Sequence, residues 1–124
     1  MSKKTVIIID DEESLLEILE HIIKKRYGID AIRASNGMDA LEKLDKQKFD
    51  LIITDVNMPE MDGVSFVEEL KKSLINRLTP VIVLSAALDV KNVKALALKN
   101  VLKILTKPVN NEMLFEVADE YLKD

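Results

Sequence analysis

Short apolar runs alternate with helical patterns five times along the chain. The runs TVIII (5–9), DLIIT (50–54), PVIVLS (80–85) and VLKIL (101–105) are too short for helices and rich in aliphatic residues, so they read as buried strands. IDAIRA (29–34) alternates and reads as a strand with one wetter face. Between the first two runs, Leu15, Ile18, Leu19, Ile22 and Ile23 follow helical spacing, and Gly28 sits where a C-terminal cap belongs. SNGMDALEKL (35–44) predicts a short helix capped by Ser35 or Asn36. GVSFVEELKKSL (63–74) predicts another, with Val67, Leu70 and Leu74 on one face. A fourth is expected from about Asp89 to Leu98, stopped by Asn100, with Val90, Val93 and Ala97 as its inward stripe. The fifth starts near Asn110, with Leu114, Val117, Ala118 and Tyr121 facing in.

Five strand–helix units imply an α/β fold: a doubly wound (βα)5 sandwich around a five-stranded parallel sheet in order 2-1-3-4-5, flavodoxin-like. The 124 residues fit one domain, expected to span 1–124. No repeat, linker or low-complexity segment interrupts it. In such sheets a ligand sits outside the carboxyl ends of the strands, so the residues at those ends carry the functional question.

The first strand runs into four acids, DDEE (10–13). Such acids could be the solvated first turn of a helix, where they complement its dipole, or could hold something positive. Glu12 and Glu13 suit the first reading. For Asp10 and Asp11 it leaves unexplained what ends the other strands: Asp55 after strand three, Ser85 and Ala86 after strand four, Lys107 after strand five. In the order 2-1-3-4-5 these groups converge on one rim. Two like charges about 4 Å apart repel by roughly 4 kcal/mol at an effective dielectric near 20, so three carboxylates together need a cation. Oxygen-only ligands favour Mg²⁺ or Mn²⁺. A hard metal beside a lysine and a hydroxyl suits a phosphoryl group, and Asp55 is the candidate nucleophile.

Composition narrows the setting. Net charge is −4, which disfavours direct nucleic-acid binding through a broad basic surface. No run approaches the roughly 18 apolar residues of a membrane span, and the acids at 10 and 11 cut off the N-terminal apolar run before it could be a signal peptide. No membrane association is expected. The chain has no cysteine, which excludes disulfides and thiolate metal sites and fits a cytoplasmic location.

The motifs IIIDDEE, LIITDVNMPEMDG, TPVIVLSA and ILTKPV, in this order, resemble the receiver domain of two-component response regulators, of the single-domain, chemotaxis-regulator-like kind. The resemblance covers the whole chain, and the spacing agrees: Asp55 lies 45 residues after Asp10, and Lys107 lies 52 after Asp55. It implies that Asp55 accepts a phosphoryl group from a phosphohistidine on a sensor histidine kinase or a histidine phosphotransfer protein. Asp11 and Asp55 then bind Mg²⁺ directly, Asp10 does so through water, and Asn57 offers its backbone carbonyl. Ser85 moves toward a phosphoryl oxygen, the Ala86 backbone contacts the phosphoryl group, and Lys107 pairs with it. The Lys107–Pro108 bond is expected to be cis. Met58, Pro59 and Gly63 shape the loop below Asp55. The implied protein promotes its own aspartyl phosphorylation and dephosphorylation and turns over no independent substrate.

Two other functions use similar parts. A haloacid-dehalogenase-type phosphatase would need a second acid two residues after the nucleophile, where this chain has Asn57. A flavodoxin-like cofactor binder would need a phosphate-friendly loop after strand one, where DDEES would repel phosphate. His21, the only histidine, lies between Glu17 and Lys25 at helical spacing and reads as an exposed structural residue. Lys24, Lys25 and Arg26 read as a solvated helix end. Met38, Met58 and Met61 read as packing or loop residues.

The chain departs from the family at Ile104, where receivers often carry an aromatic switch, and at Asn100 and Val101, where they often carry Gly-Ala. Both lie on the usual output surface of fourth helix, fifth strand and fifth helix. With Ala95 and Leu98 off the inward stripe, that face is expected to be apolar and to bind a downstream protein target or form a homodimer, with affinity set by phosphorylation. No output domain is expected within 1–124; the chain either works alone, relaying phosphate or binding a target protein, or is the receiver of a longer regulator.

Overall fold

The aliphatic runs form strands that are buried on both faces. Every residue of β1 (Val6–Ile9), β3 (Leu51–Asp55) and β4 (Val81–Ser85) is buried, as strands covered by helices on both sides must be. This computed structural model describes residues 3–56, 61, 63–86 and 101–123. The sheet has five strands in the order β2-β1-β3-β4-β5, with β2 at Ile32–Ala34 and β5 at Val101–Thr106. All four pairings are parallel.

Period-two alternation sends successive side chains to two separate cores. On one face, Val6, Ile8, Leu51, Ile53, Ile82 and Leu84 pack against Leu16, Leu19 and Ile23 of α1 (Glu13–Tyr27). Leu114, Ala118 and Leu122 of the last described helix, α4 (Asn111–Leu122), close the same core. On the other face, Ile7, Ile9, Ile52, Val81 and Val83 meet Ala40 and Leu44 of α2 (Gly37–Leu44) and Phe66, Val67 and Leu70 of α3 (Gly63–Leu70). The expected doubly wound α/β sandwich and strand order are therefore present. The helix expected over 89–98, with its stripe and the output face it would complete, lies outside the described residues.

Helix ends follow local chemistry. Gly28 adopts φ 70, a left-handed conformation that costs a residue without Cβ little, and its N–H donates to the Lys24 carbonyl at 2.9 Å. Asn36 caps α2 by accepting from the Asp39 N–H at 2.8 Å, and Asn110 caps α4 by accepting from the Met113 N–H at 3.2 Å.

Three expectations change. The third helix ends at Leu70, and Leu74 is exposed rather than inward. The Lys72 and Ser73 N–H groups bond three residues back, to the carbonyls of Glu69 and Leu70, which tightens and closes the last turn. Beyond it the buried Asn76 side chain takes over. It donates to the carbonyls of Leu44 (2.6 Å) and Gln47 (2.8 Å) and accepts from the Phe49 N–H (2.9 Å) and the Thr79 hydroxyl (2.9 Å). The second strand is shortened to three residues. It stands at the edge of the sheet, where only β1 pairs with it. Ile18, expected to face in, is more than half exposed. At the other edge, Val81 pairs with Val101 but Ile82 with Lys103, so Leu102 is an extra residue that bulges β5.

Candidate functional site

The side chains at the carboxyl rim are placed by hydrogen-bond ladders that run past the strands. The Asp10 N–H donates to the Ala34 carbonyl at 3.1 Å, one residue beyond β1. The Val56 N–H donates to Leu84 at 3.0 Å, and the Lys107 N–H donates to Ser85 at 2.9 Å. Backbone bonds of this kind fix where Asp10, Asp55 and Lys107 stand before any charge interaction acts. The Lys107–Pro108 peptide is cis.

Asp10, Asp11 and Asp55 each offer a carboxylate oxygen, and these oxygens lie within 4.8 Å of one another. Asp10 and Asp55 are buried, and Asp11 is exposed. The Lys107 ammonium sits 3.2 Å from Asp10 Oδ2 and 3.2 Å from Asp55 Oδ1. The other Asp10 oxygen accepts from the Glu12 N–H at 2.9 Å. Lys107 thus bridges two of three carboxylates whose oxygens lie within 4.8 Å of one another. At the longest of those separations each pair still repels by about 3–4 kcal/mol at an effective dielectric near 20.

Asp10 and Lys107 both depart from their ordinary titration. Burial pushes the Asp10 carboxyl above its ordinary range, and the neighbouring Asp55 charge adds to the push. The Glu12 N–H and Lys107 offset only part of it. For Lys107, burial opposes the charged form, but the charges of Asp55 and Asp10 and the hydrogen bonds to them together outweigh it and raise its pKa. The donor set fits a small divalent cation: three carboxylate oxygens within reach of one another, with no softer ligand among them.

Ser85 is buried at the end of β4, paired in register with Thr106, and its hydroxyl donates to the carbonyl of exposed Ala86 at 3.0 Å. The structure therefore brings Asp10, Asp11, Asp55 and Lys107 together and puts Ser85 and Ala86 on the adjacent strand end. Asn57, with Met58 and Pro59, lies outside the described residues. Ile104 is half-buried and packs against the core formed with α2 and α3.

Beside Lys107 an apolar groove runs along α1, lined chiefly by Leu15, Ile18, Ile22, Pro108 and Val109. Its signal in the sequence is the width of the α1 apolar set. Leu15, Leu16, Ile18, Leu19, Ile22 and Ile23 cover more of the helix than one buried stripe needs.

Comparison with known proteins agrees with this geometry. The response regulator receiver domain family matches residues 6–119. The transcriptional regulatory protein GlrR of Escherichia coli (strain K12) is 31% identical over 118 residues, which cover 95% of this chain and 26% of that protein. The chain thus spans about a quarter of that relative's length. A response regulator receiver protein from Pseudomonas putida superposes with a TM-score of 0.90 at 29% identity, over 97% of this chain and 98% of that one. The receiver domain of a sensor histidine kinase from Pseudomonas aeruginosa, whose structure has a magnesium ion coordinated in the active site cleft, shares the fold at TM-score 0.86 and 19% identity, over 99% and 100% of the two chains. With the five-stranded 2-1-3-4-5 sheet and the acid cluster at its carboxyl rim, the family match makes this chain a member of the response regulator receiver domain family of two-component systems.

Proposed function

We propose that Asp55 is the phosphoacceptor of this receiver, and that Asp10, Asp11 and Asp55 hold Mg²⁺ with the Asn57 backbone carbonyl. The observation that carries the reading is the rim itself: three carboxylates within 4.8 Å, with Lys107 3.2 Å from Asp55. When bound, the metal supplies positive charge toward the oxygens of an incoming phosphoryl group. The chain's own groups do the rest. An Asp55 carboxylate oxygen forms a bond to phosphorus while the phosphorus–nitrogen bond of a phosphohistidine breaks, and the electron pair leaves with the imidazole. Lys107 neutralises a phosphoryl oxygen, and Ser85 and the Ala86 backbone hydrogen-bond others. Mn²⁺ has the same oxygen preference and would substitute.

The donor is a sensor histidine kinase or a histidine phosphotransfer protein. The apolar groove along α1, opening beside Lys107, offers it a contact surface next to the acceptor. Phosphorylation then alters the output surface that includes β5 and α4 and changes its affinity for a downstream protein or a second copy. The domain promotes its own phosphorylation and dephosphorylation without turning over a separate substrate, and acts in the cytoplasm. Among the described residues no helix is long and apolar enough to cross a membrane.

Incubation with Mg²⁺ and a small phosphoryl donor tests this by intact mass. The wild type should gain one alkali-labile phosphoryl group and Asp55→Ala none. A phosphoryl group on the Asp55→Ala protein would assign a different acceptor.

A further inference from the structure

The loop between α3 and β4 inverts the usual burial pattern. In KKSLINRLT (71–79) the polar residues Ser73, Asn76 and Thr79 are buried, whereas Leu74 is 90% exposed, Leu78 78% and Ile75 41%. Single exposed aliphatics are common; three within five residues, held outward by a buried polar knot, are not. Asn76 fixes the loop to the carbonyls of Leu44 and Gln47 and the N–H of Phe49. The Ser73 hydroxyl accepts from the N–H groups of Ile75 and Asn76 at 3.3 and 3.0 Å. The apolar tips are therefore presented by a pre-set backbone.

Cations flank the tips along the chain. Lys71, Lys72 and Arg77 are exposed, and the stretch contains no acid. Lys72 is paired with Glu69 at 3.1 Å. Lys48 adds a further cation, its ammonium 3.2 Å from the Thr79 hydroxyl and 3.4 Å from the Ile75 carbonyl.

We propose that this loop docks the domain on an anionic lipid surface, with Leu74, Ile75 and Leu78 entering the headgroup boundary and Lys71, Lys72, Arg77 and Lys48 facing lipid phosphates. Apolar tips among basic residues are complementary to such a surface. A second copy set face to face would oppose like cations. A protein partner would need a pocket matched to protruding tips, and a fluid bilayer needs none. The whole chain carries −4, so the attraction is local and acts within a Debye length of about 8 Å at physiological salt. The proposal departs from the expectation of no membrane association, which rested on composition and the lack of a spanning segment. It stands independently of the phosphoryl chemistry. The loop enters β4 at its amino end, and the acid rim lies at the carboxyl ends, about 13–17 Å away along the strands.

The intact chain, sedimented with vesicles of phosphatidylcholine alone or mixed with phosphatidylglycerol, tests the assignment. Binding at low salt should be about tenfold stronger to the anionic vesicles and should weaken as salt rises. Leu74→Ser/Leu78→Ser should lower it about tenfold while leaving circular dichroism and melting unchanged. The chain has no tryptophan, so Leu78→Trp gives a single emission signal that should shift to the blue only with anionic vesicles. Equal binding to neutral vesicles, or binding that survives the double substitution, would overturn the proposal. Absence of anionic-vesicle binding would also overturn it and turn attention to an acidic protein as the counterpart.

Discussion

Two clusters of charge on this domain use the same residue types to opposite ends. At the rim, Asp10, Asp11 and Asp55 cluster, and the ammonium of Lys107 bridges Asp10 and Asp55. Between α1 and α4, one carboxylate is well supplied with donors. Asp119 accepts both arms of the Arg26 guanidinium, at 2.9 and 2.7 Å, and the Tyr27 hydroxyl at 2.6 Å. Arg26 also lies 4.2 Å over the Phe115 ring, which Tyr27 meets edge-on at 6.1 Å. The Arg26 hydrogen bond, joined by that of Tyr27, holds the Asp119 carboxyl well below its usual range despite some opposing burial. Asp10, in contrast, is pushed up. A compensated carboxylate fastens two helices together. A cluster of carboxylates in which one is pushed up by burial and a like charge fits a cation instead.

The largest difference between the clusters should come from Mg²⁺. At a free concentration near 100 times its dissociation constant the wild type should gain about 2.7 kcal/mol, a rise in melting temperature on the order of 10 °C. Asp119→Asn should keep that gain in full and Asp55→Asn should lose most of it. A melting temperature indifferent to Mg²⁺ would mean that the acids do not act as a set.

Next in size is a difference of sign under one substitution. Without metal, Asp55→Asn should stabilise the fold by about 1 kcal/mol, because it removes a like charge from beside Asp10 while Lys107 retains Asp10 as a partner. Asp119→Asn should lower the melting temperature by a few degrees, because the neutral amide cannot match the bidentate guanidinium pair. The Arg26 and Asp119 side chains are about one-third exposed, so water screens the pair and limits the loss. Chemical denaturation of both variants in chelator measures the two signs. Destabilisation by Asp55→Asn would mean that Lys107 already balances the rim.

The smallest effect concerns pH. Asp119 has a folded pKa below its ordinary value of 3.8, so its contribution is present above that value and is lost as pH falls from there toward the folded pKa. Midpoints measured in chelator at pH 7 and pH 3.5 should therefore fall more for the wild type than for Asp119→Asn. Equal falls would remove the carboxylate form from the account of the α1–α4 contact.

Much of the rim was legible in the sequence because short-range pattern fixes it. A largely aliphatic run long enough for one buried strand leaves little freedom in where an acid or a lysine at its carboxyl end emerges. Asp10, Asp55 and Lys107 follow such runs and meet as expected. Asp119 had no comparable signal. It belongs to an acidic stretch near the C-terminus, and Arg26 to a basic helix end that reads as solvated. Only the packing of α1 beside α4 brings together residues 93 positions apart. Leu74 misled for a related reason: its helical spacing from Val67 and Leu70 is correct, but the chain leaves the helix before reaching it.

By itself the sequence determined the five strands, the sides they bury, and the acids and lysine at their ends. Hydrophobic periodicity and strand-end chemistry are local properties, and the parallel order follows from right-handed strand–helix units. The tertiary structure decided which charges are compensated, how far α3 extends, and that Asn76 rather than an apolar residue fills the space between α2, β3 and the loop before β4. Those outcomes depend on the partners that long-range packing supplies to each buried polar group, and a donor or acceptor without its partner carries a desolvation cost that only the assembled fold can remove.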